Sequence, residues 1–338
     1  MKKLTKKVIL SFFSLALIVS VLGASTYAWF TIGDTITISK FEMDVQGGDG
    51  LEVAYIYGNN SKEGYVSRIT SERILGYLGK DYYGETGDFA SSFEMNDVTS
   101  ADGINFGYLE YSEADNVGSY SLKTADRVDN GFVEFTLRFR TLKQGNNDIY
   151  LIWENGTLES EGINKWTPGV DFTPPVGTLI EAGNSDYTYF SSHAARISVS
   201  DTKYSTNGLY EKANVYELGE KAMADGNYLN TVLSNETPNW TQGNLEIFKK
   251  STTIDLSDEY GSYKAAKTFT EFKEDEDVIV AKFLPAASFE EAAADNYLYA
   301  EVTIRVYIEG FDAEAFDGIL EDPLTAMLSF GYRVDSNW

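Results

Sequence analysis

Apolar and polar residues alternate with a period of two along several stretches of this chain. Every second residue is apolar in residues 133–139, and the same alternation runs through residues 298–308 and 324–332. This period predicts β-strands that bury one face. Shorter strands are predicted over residues 41–45, 51–57, 148–153, 194–200 and 278–284.

Segments with helical spacing or composition are few, and they lie between the predicted strands. The predicted helices cover residues 69–80, 216–236 and 286–296. Strands separated by turn-rich loops predict a mainly β protein, an antiparallel β-sandwich of jelly-roll type with short helical insertions. We assign this domain to residues 41–338, with insertions around 60–125 and 201–275. Residues 154–189, which contain three prolines, are interpreted as a long exposed loop or a seam between halves.

The chain begins with the pattern of an export signal. Four lysines precede an apolar run over residues 8–22, the order that is typical of a signal peptide. The run is shorter than the roughly 20 residues that a membrane-spanning helix needs. If the run continues through Ile32, it would be long enough for a retained anchor with an aromatic belt. The two readings remain alternatives.

A cleavage site follows the apolar run. Thr26, Tyr27 and Ala28 form a small-x-small triplet of the kind that signal peptidase recognises. Cleavage after Ala28 would remove residues 1–28 as a signal peptide and leave Trp29 at the new N-terminus.

Residues 29–40 then read as an amphipathic strand. Their apolar positions are Trp29, Phe30, Ile32, Ile36 and Ile38. An amphipathic strand at a chain terminus completes its own sheet or pairs with an open sheet edge on a neighbouring subunit. The residues leave both alternatives open.

Composition limits the classes of partner. The chain has 27 basic and 52 acidic residues, a formal charge of −25, and loss of the four signal lysines leaves 23 basic residues and a charge of −29. Such a surface repels nucleic acid and anionic lipid, so we expect no nucleic-acid partner, and membrane contact only through an uncleaved signal. With no cysteine, the chain has no disulfides, zinc thiolates or thiol nucleophiles.

The residues do not predict an enzyme. His193 is the one histidine of the chain, so a zinc-protease site with two histidines on one helix cannot form. No G-x-S-x-G nucleophile elbow is present. Tyrosines in the stretches DYYGE and DYTYFSS could stack on sugars, but packing against the sandwich is the favoured interpretation.

One acidic loop is a candidate cation site. Asp312, Glu314 and Asp317 lie between two predicted strands, and calcium takes several oxygen ligands from loops of this kind. Charge runs are more often solvated faces. A structural Ca²⁺ at this loop is therefore a secondary hypothesis, and no other cofactor is predicted.

The N-terminal junction resembles that of the TasA and camelysin group of biofilm-fibre subunits, whose signals are cut by a SipW-type peptidase. The matching positions are Gly23, Thr26, Tyr27, Ala28, Trp29 and Phe30. The resemblance implies a jelly-roll fold, export by a bacterium through the general secretory route, and assembly into extracellular or cell-surface fibres. It also implies that residues 29–40 are passed to the next subunit, so the partners would be copies of this chain or related surface subunits.

A retained signal would imply a different function. If the signal is not cleaved, the chain would be a membrane-anchored adhesive or carbohydrate-binding surface module.

Overall fold

The computed structural model describes rather more than half of the chain. The described residues are 40–45, 50–57, 61–62, 64–114, 117–129, 131–162, 181, 183, 188, 190–203, 213–218, 266, 268–269, 272, 278–289, 296–310, 312, 315, 319 and 322–335. The predicted signal peptide and most of the predicted assembly strand lie outside these ranges. Within them, no helix is long and apolar enough to cross a membrane.

Strands dominate the described residues. In chain order they are β1 (Lys40–Val45), β2 (Glu52–Tyr57), β3 (Ser61–Lys62), β4 (Arg68–Ile69), β5 (Asp97–Ser100), β6 (Phe106–Ala114), β7 (Val117–Thr124), β8 (Val133–Leu142), β9 (Asp148–Ser160), β10 (Ala195–Asp201), β11 (Asn214–Tyr216), β12 (Thr268–Phe269), β13 (Val278–Lys282), β14 (Leu284–Pro285), β15 (Tyr297–Glu309) and β16 (Leu324–Asp335). The helices are α1 (Ser71–Tyr83), the single turns α2 (Phe89–Ser92) and α3 (Ser191–Ala194), and a 3₁₀ turn (Ala286–Phe289).

These strands form two sheets. The smaller sheet has the order β13-β9-β16-β1-β4. The larger sheet is centred on β15, which pairs with β10 on one edge and, on the other, with β8 and then β5. Beyond β10 the sheet continues to β11 and β12. Beyond β8 it continues to β2 and β3, and beyond β5 it continues to β6 and β7.

The prediction of a mainly β protein is confirmed, but its sheets are mixed and not purely antiparallel. β1 pairs parallel with β16, β11 with β12, and β5 with β15. Local alternation predicts which residues form a strand, whereas the direction of pairing depends on the path of the chain between strands. The jelly-roll topology does not follow from this strand order alone.

One hydrophobic core joins the two sheets. The even-numbered residues from Ala300 to Ile308 in β15 and from Leu324 to Phe330 in β16 are buried in this core, for example Val302 and Ile304 at 0% exposure and Leu328 at 3%. The rings of Phe139 in β8 and Phe330 in β16 lie 5.1 Å apart, so the inner faces of the two sheets contact each other directly.

The predicted strands correspond to β1, β2, β8, β9, β10, β13, β15 and β16. β9 runs to Ser160, so the first residues of the predicted loop 154–189 are strand. The hairpin β6–β7 was not predicted. The helix predicted over 216–236 is wrong where the chain is described: Tyr216 is a strand residue in β11 and residues 217–218 are not helical. Residues 219–236 lie outside the described residues. Of the helix predicted over 286–296, the described part is one 3₁₀ turn.

The predicted helix over 69–80 is confirmed as α1. It buries one side against the core, including Ile74 and Leu78 at 0% exposure. Glu72 in the first turn and Lys80 in the last turn suit the helix dipole. The helix ends at Gly84, whose φ of 86° favours glycine because other residues are strained there.

Candidate functional site

The two ends of the described chain lie side by side in the smaller sheet. β1 pairs parallel with β16, from Lys40 opposite Thr325 to Val45 opposite Phe330. β16 begins at Leu324, so a single β16 residue precedes the first paired position. Of the predicted assembly segment 29–40, only Lys40 is described. The predicted apolar positions of that segment and the cleavage residues lie outside the described part of the chain.

A buried carboxylate organises the backbone just before β16. Asp322 is fully buried, and its two carboxylate oxygens accept backbone N–H groups from Gly162 (2.9 Å) and Ser191 (2.7 Å). The hydroxyl of Ser191 also donates to the Asp322 carbonyl oxygen at 3.3 Å. Asp322 therefore ties the end of β9 and the start of α3 to the entry of β16.

Replacing Asp322 with asparagine should lower the free energy of unfolding by about 1–3 kcal/mol, because an amide nitrogen cannot accept the second N–H bond. The check is the urea midpoint of each variant. Asp126→Asn is the control for the same change at an exposed site, where the N–H groups of Val128 and Asp129 both bond to Oδ1, an oxygen that asparagine keeps. Equal midpoints for the two variants would show that the Asp322 contacts contribute little.

The candidate calcium residue Asp312 lies in a buried ion cluster. Its carboxylate is 3.8 Å from the Arg196 guanidinium, which is also 3.3 Å from Glu217 and 3.4 Å from Glu309. Each of these four residues is at most 5% exposed. Glu314 and Asp317, the other predicted ligands, lie outside the described residues.

Electrostatics in this cluster favour a permanently charged arginine. Burial lowers the pKa of Arg196, but Glu217, Glu309 and Asp312 outweigh burial and raise it. Burial raises the pKa of the adjacent Tyr307 phenol well above its ordinary value, and Arg196 opposes part of that shift. The cluster links β10, the residue that follows β11 and the end of β15 through charge.

The described residues hold no group of three acidic or histidine side chains that could bind a metal ion. Asp102, another loop carboxylate, forms hydrogen bonds within its own loop. Its Oδ1 accepts the N–H groups of Ile104 (2.8 Å) and Asn105 (2.7 Å). Burial raises the pKa of Asp102, but these bonds outweigh burial and lower it.

The outer face of the larger sheet carries a ladder of complementary polar pairs. The cross-strand pairs of β8 and β15 are Arg138–Glu301, Thr136–Thr303 and Glu134–Arg305. The guanidinium Nε atoms of Arg138 and Arg305 each lie 2.7 Å from their partner carboxylate, and the two threonine hydroxyls are 3.2 Å apart. Arg138 is only 4% exposed, so its charge is balanced within the protein. Such pairs stabilise one register of the two strands.

The described tyrosines of the stretches considered for sugar binding are Tyr82 and Tyr83, and both donate their hydroxyls to backbone carbonyls of the protein. Tyr82, from the stretch DYYGE, is buried, donates its hydroxyl to the Phe132 carbonyl at 2.9 Å and lies under Arg127. Arg140 sits between two other tyrosine rings, with centroid distances of 4.1 Å to Tyr65 and 4.7 Å to Tyr297. The packing interpretation is confirmed for Tyr82. Both tyrosines of the second stretch, DYTYFSS, lie outside the described residues.

His193 lies on α3, a single helical turn. Its ring stacks on Phe190 at a centroid distance of 5.0 Å. This aromatic contact gives the side chain a packing role beside the buried Ser191 and Ser192.

The Arg196 cluster and the polar ladder were not predicted from the sequence, although the sequence contains a signal for both. Arg196 alternates with Ala195 and Ile197, and Arg305 alternates with Ile304, so each arginine belongs to the outer face of its strand. A charged residue inside an otherwise apolar strand indicates a partner on a neighbouring strand. The partners themselves come from distant segments and could not be read from this local pattern.

Comparison with family models, with curated proteins and with solved structures finds no match for this chain.

Proposed function

We propose that this chain is an exported structural subunit of an extracellular fibre or cell-surface matrix, in which residues 29–39 of one copy pair with a neighbouring copy. Lys40, the last residue of the predicted assembly segment, pairs with Thr325 of its own chain. We also propose that the two-sheet core is a jelly-roll sandwich to which β1 adds a parallel strand. The antiparallel runs β10-β15-β8-β2 and β13-β9-β16 support that topology.

The direction of β1 is the observation that carries this proposal. Because β1 is parallel to β16 and starts opposite Thr325, Leu324 is the single β16 residue that lies before the first paired position. When a strand extends beyond the end of the strand beside it, its backbone N–H and C=O groups need hydrogen-bond partners from another segment. A neighbouring copy supplies them in a fibre.

Charge supports the same segment as the contact. Cleaved copies, with 23 basic and 52 acidic residues and a net charge of −29, repel one another, so a stable contact should avoid the acidic surface. Residues 29–39 carry one charged side chain, Asp34. Backbone pairing through this nearly neutral segment brings copies together with little added repulsion.

Deletion of residues 29–39 tests this function and leaves β1 intact. We expect the full chain to be exported with Trp29 at its N-terminus and to form filaments visible by electron microscopy. The deletion variant should stay monomeric in sedimentation. A peptide of residues 29–39 should raise its urea midpoint, because a ligand that binds the folded state stabilises it.

A peptide of the same composition in scrambled order is the control for this binding. Filaments formed by the deletion variant would contradict strand donation. So would a large loss of monomer stability together with no response to the peptide, since residues 29–39 would then belong to their own sheet.

The adhesive or carbohydrate-binding alternative gains no support from Tyr82, which is buried and donates its hydroxyl to the Phe132 carbonyl.

A further inference from the structure

A stack of two tyrosines and an arginine lies on the outer face of the larger sheet, where β8 ends and β15 begins. The Arg140 guanidinium lies between the rings of Tyr65 and Tyr297, at centroid distances of 4.1 and 4.7 Å. Its Nε also donates to the Glu52 carboxylate at 2.6 Å. Both tyrosines pack against a small buried cluster that includes Tyr299. These contacts hold the guanidinium in one orientation.

The stack leaves hydrogen-bonding groups available at the surface. In the described part of the chain, the bond from Arg140 to Glu52 uses only the Nε–H of the guanidinium and one of the two carboxylate oxygens. The two side chains are 27% and 33% exposed, so water reaches both. The Nη groups of Arg140 can therefore donate to a ligand, and Oε1 of Glu52 can accept from the same ligand.

An exposed apolar side chain borders the stack. Leu142 is 47% exposed, the largest value for a large hydrophobic side chain among the described residues. It lies two residues after Arg140 on β8, so the two share a face of the sheet, and it pairs with Tyr297 of β15. The ring of Tyr297 is itself only partly buried. We call Glu52, Tyr65, Arg140, Leu142 and Tyr297 the stacked patch.

Charge limits what the stacked patch can bind. The cleaved chain, with 23 basic and 52 acidic residues, repels polyanions, including a second copy of itself. Within the patch the charges of Arg140 and Glu52 balance each other. Burial lowers the pKa of Arg140, but the bond to Glu52 outweighs burial and raises it, so the guanidinium stays charged. An uncharged partner suits this patch better than an acidic or a basic one.

Neutral sugars have the chemistry that the stacked patch offers. Neighbouring sugar hydroxyls both donate and accept hydrogen bonds, which matches guanidinium N–H groups beside a carboxylate oxygen. The C–H face of a sugar ring is apolar and packs on aromatic and aliphatic side chains. Ligand sites commonly combine such apolar contacts with a few fixed polar groups. Because the stack already holds the guanidinium in place, little side-chain freedom is lost on binding.

We propose that the stacked patch binds a neutral polysaccharide. The Nη groups of Arg140 donate to sugar hydroxyls, and Oε1 of Glu52 accepts from a neighbouring hydroxyl. Leu142 and Tyr297 contact the apolar face of a sugar ring. This inference goes beyond the proposed function, since it gives each subunit a contact with a polysaccharide that does not depend on strand donation.

Calorimetric titration of the exported full chain with dextran, levan and a soluble β-glucan tests the site, and polygalacturonate is the acidic comparison. We expect at least one neutral polymer to bind. Leu142→Ala should weaken that binding about tenfold and leave the urea midpoint unchanged. Arg140→Lys should weaken it by a similar factor, because lysine keeps the charge but loses the planar set of donors. Leu122→Ala, at a leucine of β7 that is 36% exposed, is the matched control and should change nothing.

Four outcomes would overturn this site. Binding of none of the neutral polymers would contradict the ligand class, and so would binding of polygalacturonate alone. Neutral-polymer binding that either Leu142→Ala or Arg140→Lys leaves unchanged would contradict the location. Weaker self-association of Leu142→Ala in sedimentation without polymer would mean that a second copy covers the stacked patch. Each titration is read whether or not the chain forms filaments, so failure of the proposed function leaves this test intact.

Discussion

Replacement of Arg196 with methionine should lower the free energy of unfolding by about 3–5 kcal/mol at neutral pH. The variant keeps most of the side-chain volume but removes the cation that Glu217, Glu309 and Asp312 surround. Three buried carboxylates would then repel one another without compensation. Urea denaturation at neutral pH measures the loss.

The pH dependence of this loss separates charge from packing. Without the arginine, the buried carboxylates bind protons more readily in the folded than in the unfolded chain, so acid favours the folded variant. The deficit of Arg196→Met relative to the unmodified protein should therefore shrink between about pH 7 and pH 5. A deficit that is constant over this range would contradict the electrostatic explanation.

Lys282→Met is the matched control for Arg196→Met. It removes the same charge from a partly exposed pair with Asp148, at 2.8 Å. Surface ion pairs contribute little, so we expect a change of at most about 1 kcal/mol. Equal losses for the two variants would mean that the Arg196 cluster behaves as a surface pair.

Replacement of Trp153 with alanine should cost about 3–5 kcal/mol. Trp153 is 1% exposed, and its indole N–H donates to the Asn155 carbonyl at 2.9 Å. The rings around it are Tyr216 (6.0 Å), Phe269 (5.3 Å), Phe272 (5.5 Å) and Phe330 (6.3 Å between centroids). Because these rings come from both sheets, the cavity would weaken the contact between them.

Two controls calibrate the Trp153 result by urea denaturation. Trp153→Phe keeps a ring in the cluster, so it should cost clearly less than alanine. Leu142→Ala removes a side chain that is 47% exposed, and its effect should stay within about 0.5 kcal/mol. A Trp153→Ala loss as small as that of Leu142→Ala would contradict a shared core at this position.

The faces of the strands could be predicted because alternation is a local property. In β15, Val302 and Ile304 face the core, and the charged residues Glu301 and Arg305 face outward. The prediction was poorest for the hairpin β6–β7, where serine, glycine and charged residues interrupt the apolar alternation.

The order of charged and polar residues along β8 and β15 also favours the observed register of these two strands. The outer face of β8 reads Glu134, Thr136, Arg138, and the outer face of β15 in reverse reads Arg305, Thr303, Glu301. These rows complement each other only when the strands run antiparallel in the observed register. Without the fold, the same acidic residues offered many other partners among the 52 carboxylates of the chain.

The sequence by itself determined the mainly β class, the inward and outward faces of the long strands, and the acidic character of the chain. The class and the acidic character depend on composition and local pattern. The faces depend on residues two apart, because successive side chains of a strand point to opposite sides of the sheet. Only the tertiary structure decided that β1 lies parallel to β16 and that Arg196 gathers three carboxylates from two distant segments. Those contacts join residues far apart in the chain, where the path of the intervening chain, and not local alternation, selects the partner.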